Sequence, residues 1–222
     1  VDGNHGYNPR RDIHAVACYH PLPPRSLIKI DKGFWVTSPE LTFIQICADE
    51  NLSDFDIICL GYELCGTYVL DDSWDGLTCI DEPLTSTEKI GRLINSIHRV
   101  PGIKRARNLI NHVHALSNSP METILAMLVS LPTTKGGLGL GPISLNHPVA
   151  TPVGQRRVDI GFPRQRVGLE DQGKEFHSIE AAGRDARRQN KIVGSGFTIL
   201  NVWYEDLIDE HLFQQLVTDL FR

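Results

Sequence analysis

The C-terminal third of the chain alternates apolar and polar residues in three short stretches, at 157–162, 167–172 and 197–203. Alternation with a period of two is typical of strands that bury one face. A polar, helix-prone segment at 178–194 separates the second stretch from the third, and a last helix is predicted over 209–221. The order strand, strand, helix, strand predicts a small α/β core.

Helical patterns dominate the middle of the chain, where two helix starts carry the same signal. Ser38 and Ser119 are each followed by a proline, which is the arrangement of an N-cap residue and a first helical position. The helix after Ser119 repeats its apolar residues at the spacing of one helical face and ends before Pro132. Two further helices are predicted over 87–98 and 103–116, with a Pro-Gly break between them.

The segment 136–141 contains four glycines, so a phosphate-binding loop has to be considered. Such a loop ends in Gly-Lys-Ser/Thr and follows a strand, whereas this segment lacks that ending and follows a predicted helix. We therefore interpret the segment as a flexible connector between two elements.

Together these elements predict an α/β (α+β) fold, in which a helical N-terminal and middle region precedes a mixed β-sheet flanked by helices. We divide the chain into an extended lead-in at 1–27, a mixed or helical region at 28–117 and a sheet-containing domain at 118–222. The lead-in is rich in Pro, His and Gly, which is the composition of a linker.

The composition is that of a folded globular protein, with 41% apolar and 22% charged residues among 222. These fractions argue against disorder and fibrous repeats, and no apolar stretch approaches the roughly 18 residues of a membrane span. We find no signal peptide, and the first residue, Val1, suggests that the natural protein begins further upstream. The five cysteines form no C-x-x-C pair, so we interpret them as reduced thiols in a cytoplasmic protein.

The charges of the chain are segregated, although its net charge is only −5. No Lys or Arg lies between Lys32 and Lys89, whereas the segment 89–107 is basic and contains no acid. A basic face of this kind can hold a polyanion, and Lys104, Arg105 and Arg107 are candidates for contact with nucleic acid. The alternative is a set of solvated helix faces with no ligand.

Candidate chemistry lies on the first two predicted strands. With a period of two, Asp159 lies on the face opposite its apolar neighbours, and Glu170 and Gln172 share a face of the next strand. If the apolar faces pack on the core, the two carboxylates converge and repel each other unless a cation such as Mg²⁺ lies between them. Gln172 could then orient an attacking water, although strand acids are also often only solvated.

The ordered motifs of 156–203 resemble the PD-(D/E)XK nuclease superfamily, in the branch similar to very-short-patch-repair endonucleases. In that branch a strand Asp is followed by Glu-x-Asp-Gly, by a His, and by a helix with Asp-x-x-Arg and a later Gly. The matching segments here are Val158-Asp159-Ile160, Glu170-Asp171-Gln172-Gly173-Lys174-Glu175-Phe176-His177, Asp185-Ala186-Arg187-Arg188 and Gly196-Phe197-Thr198-Ile199-Leu200. Relatives also place a Glu early in the preceding helix, where this chain has Glu122. Upstream, residues 35–40 and the basic helices resemble the middle region of proteins akin to abortive-infection antitoxins.

The resemblance implies a restriction-endonuclease-like core, Mg²⁺ or Mn²⁺ as cofactor, and a role for each matched residue. Metal ligands would be Asp159, Glu170 and Glu122, with Gln172 at the place of a further acid. Lys174 would stabilise the pentacovalent phosphate, and His177 would act as general acid/base or contact a phosphate. The implied DNA contacts are Arg156, Arg157, Arg184, Asp185 and Arg188, in addition to the basic helix residues.

Two departures from the family pattern keep a second interpretation open. Gln172 stands where the family has an acid, and Asp171 lies on the face of Val167 and Leu169, where an apolar residue is usual. Burial of an unpaired Asp171 carboxylate would cost free energy. Either Asp171 has a partner, or the strand edge is open at that point, or this position has been altered. We expect a metal-dependent DNA endonuclease; the alternative is a catalytically silent nuclease fold that acts as an antitoxin-like or DNA-binding regulator. RNA as substrate, a homodimer and a winged helix-turn-helix upstream of Val1 also stay open.

Overall fold

The structure, a computed structural model, describes residues 21–73, 76–172 and 189–222. The helices are α1 (Pro39–Ile46), α2 (Asp54–Cys65), α3 (Thr87–Ser96), α4 (Ile103–Leu109), α5 (Pro120–Ser130), α6 (Tyr204–Ile208) and α7 (Glu210–Leu220). The strands are β1 (Leu27–Asp31), β2 (Phe34–Thr37), β3 (Tyr68–Leu70), β4 (Leu77–Cys79), β5 (Ser144–Thr151), β6 (Gly154–Phe162), β7 (Val167–Gln172) and β8 (Thr198–Trp203). Residues 189–193 are also helical.

The fold is of the predicted α/β class, with a helical first part and a four-stranded mixed sheet in the second. The strands of that sheet lie in the order β5-β6-β7-β8; β5, β6 and β7 are antiparallel, and β8 runs parallel to β7. The three strands predicted from alternation are β6, β7 and β8. Strand β5 and the two hairpins β1–β2 and β3–β4 were not predicted. Strand β5 contains Pro148, a residue tolerated there because β5 is an edge strand.

The predicted helix starts at Ser38 and Ser119 are confirmed, because each serine side chain accepts a hydrogen bond from a backbone N–H of the first turn. Helix α2 was missed, although Ser53 and Asp56 form a capping box at its start. The helix predicted over 103–116 is shorter, since α4 ends at Leu109 and is followed by one 3₁₀ turn.

The glycine-rich segment 136–141 is an ordered cap on α5 and not the free connector that we expected. The backbone N–H groups of Leu138, Gly139 and Leu140 donate to carbonyls at the end of α5, with N···O distances of 2.7–2.8 Å. A Cβ at Gly137 would lie 2.2 Å from the carbonyl oxygen of Leu131, so the close approach requires glycine there. The segment therefore satisfies helix-end carbonyls that would otherwise be buried without partners.

One hydrophobic core joins the helical part to the sheet. Phe43 of α1, Ile58 of α2, Leu125 of α5 and Ile160 of β6 all belong to the same buried cluster. Helix α5 lies in the middle of this cluster, with contacts to both α2 and β6. The two regions predicted at 28–117 and 118–222 thus share a core, while their status as separate domains stays a prediction.

Strand β6 changes the face on which it buries apolar side chains. Ile160 packs in the main core, whereas Val158 packs with Ile192 in a second cluster on the other side of the sheet. The change occurs at Asp159, next to Asn146 of β5, whose φ is 47°. A strict period of two had placed Val158, Ile160 and Phe162 on one face; the local irregularity makes that prediction wrong.

Within the described ranges, no helix has both the length and the apolar character required to cross a bilayer. The described cysteines, Cys47, Cys59, Cys65 and Cys79, are free thiols. Burial raises the pKa of Cys47 and Cys65 to about 12, so both are inert core residues.

The α3–α4 turn depends on a glycine that we expect to be irreplaceable. Gly102 has a φ of 79°, and a Cβ there would lie 2.6 Å from both the amide nitrogen of Ala48 and the carbonyl oxygen of Ile44. Gly102→Ala should lower the free energy of unfolding by about 2 kcal/mol or more, measured by urea denaturation. Gly91→Ala is the matched control, because Gly91 lies in α3 with open space around it, and it should be neutral or stabilising by about 0.5–1 kcal/mol. Equal effects of the two substitutions would contradict this account of the turn.

Candidate functional site

Three carboxylates from three elements come together where α5 meets the sheet. Glu122 lies in the first turn of α5, Asp159 lies in β6 and Asp171 lies near the end of β7. The charge of Asp159 raises the pKa of both other groups, and Asp171 also raises that of Glu122. The sequence predicted Glu122 and Asp159 for this site but not Asp171.

The start of α5 holds Glu122 in place. Its backbone N–H donates to the Oγ of the N-cap Ser119 over 3.0 Å, and its Oε2 accepts the backbone N–H of Asn118 over 2.9 Å. Asn118 is itself tied to the sheet, because its Nδ2 donates to Oδ1 of Asn146 over 2.9 Å. Glu122 is therefore both a helix-start residue, favoured by the helix dipole, and a member of the carboxylate cluster.

Asp159 and Asp171 are linked through the backbone. The N–H of Asp171 donates to Oδ2 of Asp159 over 2.9 Å, just beyond the last ladder pair of β6 and β7, Ile160–Leu169. Ser119 Oγ lies 3.5 Å from Oδ2 of Asp171 and offers a weak hydrogen bond. The helix cap and the two strands thus meet in one half-buried polar site.

Burial raises the pKa of two acids in this cluster, Glu122 and Asp171. Glu122 is only 7% exposed, and desolvation together with the charge of Asp159 raises its pKa to about 7. Desolvation and the same charge raise the pKa of Asp171 to about 6. Of the three alternatives for Asp171, the structure supports pairing, but only through a weak hydrogen bond. The carboxyl takes up a proton readily, because its charged neighbour is an acid and not a cation.

Glu170 and Gln172 lie on the other face of the sheet, away from Glu122. They alternate with Leu169, which packs in the main core, and Gln172 Nε2 donates to Oδ1 of Asn201 over 3.0 Å. Asn201 also accepts from Nε2 of Gln189 over 3.1 Å. Glu170 and Gln172 share a face as predicted, but the irregularity in β6 brings Asp159 to Asp171 and not to this pair. Glu170 is 3% exposed, which is unusual for a carboxylate.

Several predicted site residues lie outside the described ranges, so their placement is open: Lys174, His177, Arg184, Asp185 and Arg188. Two other predicted nucleic-acid contacts lie on β6, where Arg157 is exposed and Arg156 is half-buried. The Nη1 of Arg156 donates to the carbonyl of Gln155 over 3.4 Å. Both arginines lie on the strand that carries Asp159, and neither forms an ion pair with a described residue.

The basic residues of α4 divide into structural and exposed groups. Arg105 Nε lies 2.8 Å from Oδ1 of Asp54, and its two terminal nitrogens donate to the carbonyls of Asp49 and Leu52. Arg107 donates to the carbonyls of Ile94 and Ile97 at the end of α3, while Lys104 is exposed. Arg105 in particular stabilises the loop before α2, a role that charge patterning could not reveal.

The donor set of the cluster suits a hard divalent cation, since Mg²⁺ and Mn²⁺ prefer carboxylate oxygens. Among the residues that the structure describes, however, no group of three or more His, Cys, Asp or Glu side chains has the geometry of a ready-made metal site. The raised pKa values of Glu122 and Asp171 show what a cation could supply: positive charge between acids that otherwise need protons.

Comparison of the chain with protein-family models, with curated proteins and with solved structures gives no significant match. The nuclease resemblance therefore rests on the motifs quoted above.

The raised pKa of Glu122 predicts a pH-dependent stability. Its folded-state pKa, about 7, exceeds the ordinary value of 4.5, so the folded protein binds an extra proton between these values and the free energy of unfolding falls as pH rises through 7. Glu122→Gln imitates the protonated form. It should match the parent protein at pH 5 and be more stable by about 3 kcal/mol at pH 8, measured by urea denaturation.

The control for this prediction is Glu82→Gln, since Glu82 is an exposed loop residue. Its stability should follow that of the parent protein at both pH values. The free energies of unfolding of Glu122→Gln and the parent protein could instead differ by the same amount at pH 5 and pH 8. That result would show that Glu122 is already ionised at pH 5 in the folded protein.

Proposed function

We propose that this protein is a cytoplasmic, Mg²⁺- or Mn²⁺-dependent nuclease that hydrolyses phosphodiester bonds in DNA. The observation that carries the proposal is the meeting of Glu122, Asp159 and Asp171 at the junction of helix and sheet. Glu122 and Asp159 are the helix and strand acids that the family resemblance implied.

In this proposal Glu122, Asp159 and Asp171 hold the metal, and Glu170 supports the strand from the opposite face. Bound there, the cation would activate water and neutralise charge on the scissile phosphate. Asp159 occupies the central position, because its charge acts on both other acids. Ser119 and Asn118 act as positioning residues, since they hold Asp171 and Glu122 by hydrogen bonds.

The chain's own cations would bind the nucleic-acid backbone. Arg157 is exposed on the strand that carries Asp159 and is suited to phosphate contact. Lys174, His177 and Arg188 keep the roles that the resemblance implies. RNA is the alternative substrate, since backbone contacts alone do not separate it from DNA.

A second candidate function is a catalytically silent nuclease fold that binds DNA as a regulator or antitoxin-like module. Two observations favour it: Gln172 stands in place of an acid, and Glu170 lies on the face opposite Asp171. In that case the carboxylate cluster would bind no metal, and DNA binding would not need one. The two functions differ in their response to Mn²⁺.

Cleavage of supercoiled plasmid with Mn²⁺ tests the nuclease directly. The parent protein should nick the plasmid, and EDTA should abolish the reaction. Asp159→Ala should lower the rate at least about a hundredfold, because a metal site contributes several kcal/mol of charge stabilisation. The matched control is Asp31→Ala, an exposed acid of the β1–β2 hairpin. No cleavage, with salt-sensitive DNA binding intact in all proteins, would favour the silent regulator.

A comparison of Asp171→Asn with Glu170→Gln tests which strand acid holds the metal. Asp171→Asn should weaken Mn²⁺ binding about tenfold or more, measured by isothermal titration at pH 7.5, because one anionic ligand is lost. Glu170→Gln should leave the affinity within about threefold, since its carboxyl lies on the other face. Thermal unfolding of both variants controls for damage to β7. The reverse order of effects would reinstate Glu170 as the ligand and overturn the cluster described here.

A further inference from the structure

A cavity of about 860 Å³ lies on the helical part of the protein, between the end of α1 and the α3–α4 turn. Cys47 and Ala48 line one side, and the residues from His98 to Lys104 line the other. None of its lining residues belongs to α5 or to the four-stranded sheet, so this cavity is separate from the carboxylate cluster. Its volume falls in the range of small-molecule sites.

The wall formed by the α3–α4 turn is built with an unusual backbone. Arg99 has a φ of 60°, which is uncommon for a residue other than glycine. Gly102, with a φ of 79°, packs so closely on the end of α1 that no side chain fits. This contact holds the turn against α1, and the turn carries Arg99, which lines the cavity.

Positive charge dominates the cavity. Arg99, Lys104, Arg105 and Arg107 line it, together with a single acid, Glu50. The structure gives Arg105 a carboxylate partner in Asp54. Among the described residues, by contrast, Arg99 and Lys104 form no ion pair. The cavity therefore concentrates uncompensated positive charge in a concave surface, which attracts an anion more strongly than a flat charged face does.

Arg107 is held in the cavity wall by the end of α3. Its Nη2 donates to the carbonyls of Ile94 and Ile97, with N···O distances of 3.3 and 3.2 Å, and lies 3.5 Å from Nδ1 of His98. These partners are two backbone carbonyls and a ring nitrogen, so none of them is an acid that pairs with the guanidinium. Within the described residues its Nε and Nη1 have no hydrogen-bond acceptor, which leaves both for a ligand.

Apolar side chains lie between the cations of the wall. Val100, Pro101 and Ile103 line the cavity between the cationic side chains. Apolar surface beside a few fixed polar groups is the pattern of a site for an organic ligand, whereas a free inorganic anion needs no apolar wall. A ligand that carries both a flat, largely apolar ring and phosphate groups would use both parts of this surface.

We propose that this cavity binds the phosphates and base of a nucleotide, either free or at the phosphorylated end of a nucleic-acid strand. Arg99, Lys104 and Arg107 contact the phosphates, and the base lies against Val100 and Pro101. The site does not depend on the proposed nuclease activity, because it contains none of the carboxylates of that site.

The test measures binding of fluorescently labelled ATP to the full chain by anisotropy, in EDTA and at low salt. Lys104→Glu and Arg99→Asn should each weaken binding about tenfold or more, since each removes a charged donor to phosphate. Asn tolerates the left-handed backbone at position 99, so this substitution preserves the turn. The matched control is Lys32→Glu, an exposed cation in the turn between β1 and β2, and it should leave the affinity within about twofold.

Competition separates the two sources of the ligand. If unlabelled ATP competes better than an oligonucleotide with a 5′-phosphate, the ligand is a free nucleotide; the opposite order identifies a strand end. An oligonucleotide without the terminal phosphate should compete more weakly than its phosphorylated form. Asp159→Ala should bind the probe normally, which distinguishes this site from the nuclease proposal. Absence of binding, or an equal loss in Lys32→Glu and Lys104→Glu, overturns the inference, since the latter indicates only general charge attraction.

Discussion

The burial of helix α5 between the helical layer and the sheet is the interaction on which the rest of the structure depends. Leu125, Ala126 and Met127 are almost fully buried, and the core that they help to form extends from α1 to β8. A helix buried on nearly all sides must satisfy both of its ends with protein groups. Ser119 does so at the start, where its Oγ accepts the backbone N–H of Glu122, and the backbone of the glycine-rich segment does so at the end. Because the helix start faces the sheet, Glu122 is brought to Asp159 and Asp171.

In the carboxylate cluster, the fold holds together acids that repel each other when they are ionised. Each acid would be more stable in water, yet packing of α5 against β6 and the hydrogen bond from Asp171 to Asp159 keep the three together. Protonation of one of the acids, or a cation bound between them, reduces this repulsion. Clusters of this type are concentrated at functional sites, because repulsion among the acids favours binding of a positive charge between them. The proposal of a metal-dependent nuclease follows from that physical argument together with the motifs.

The segregated charges of the sequence acquire distinct roles in the structure. The acidic first half supplies helix-start residues such as Asp56 and the ion-pair partner Asp54. The basic segment after residue 89 supplies Arg105 and Arg107, which bind backbone carbonyls at helix and loop ends. Arg99 and Lys104 line a cavity and form no ion pair with the residues that the structure describes. A charge run in a sequence thus contains residues that bind other parts of the protein beside residues that do not, and only their contacts separate the two groups.

The sequence by itself determined the fold class, the three strands β6, β7 and β8, and the helix starts at Ser38 and Ser119, because these depend on local periodicity and capping. It also placed Glu122 and Asp159 in one candidate site. Only the tertiary structure decided that Asp171, and not Glu170, accompanies them. The face that a strand residue uses follows from a period of two only while the strand is regular, and β6 changes faces at Asp159. That irregularity lies in a strand that pairs with β5 and contacts α5, so it belongs to interactions between residues distant in the chain, which local periodicity does not describe.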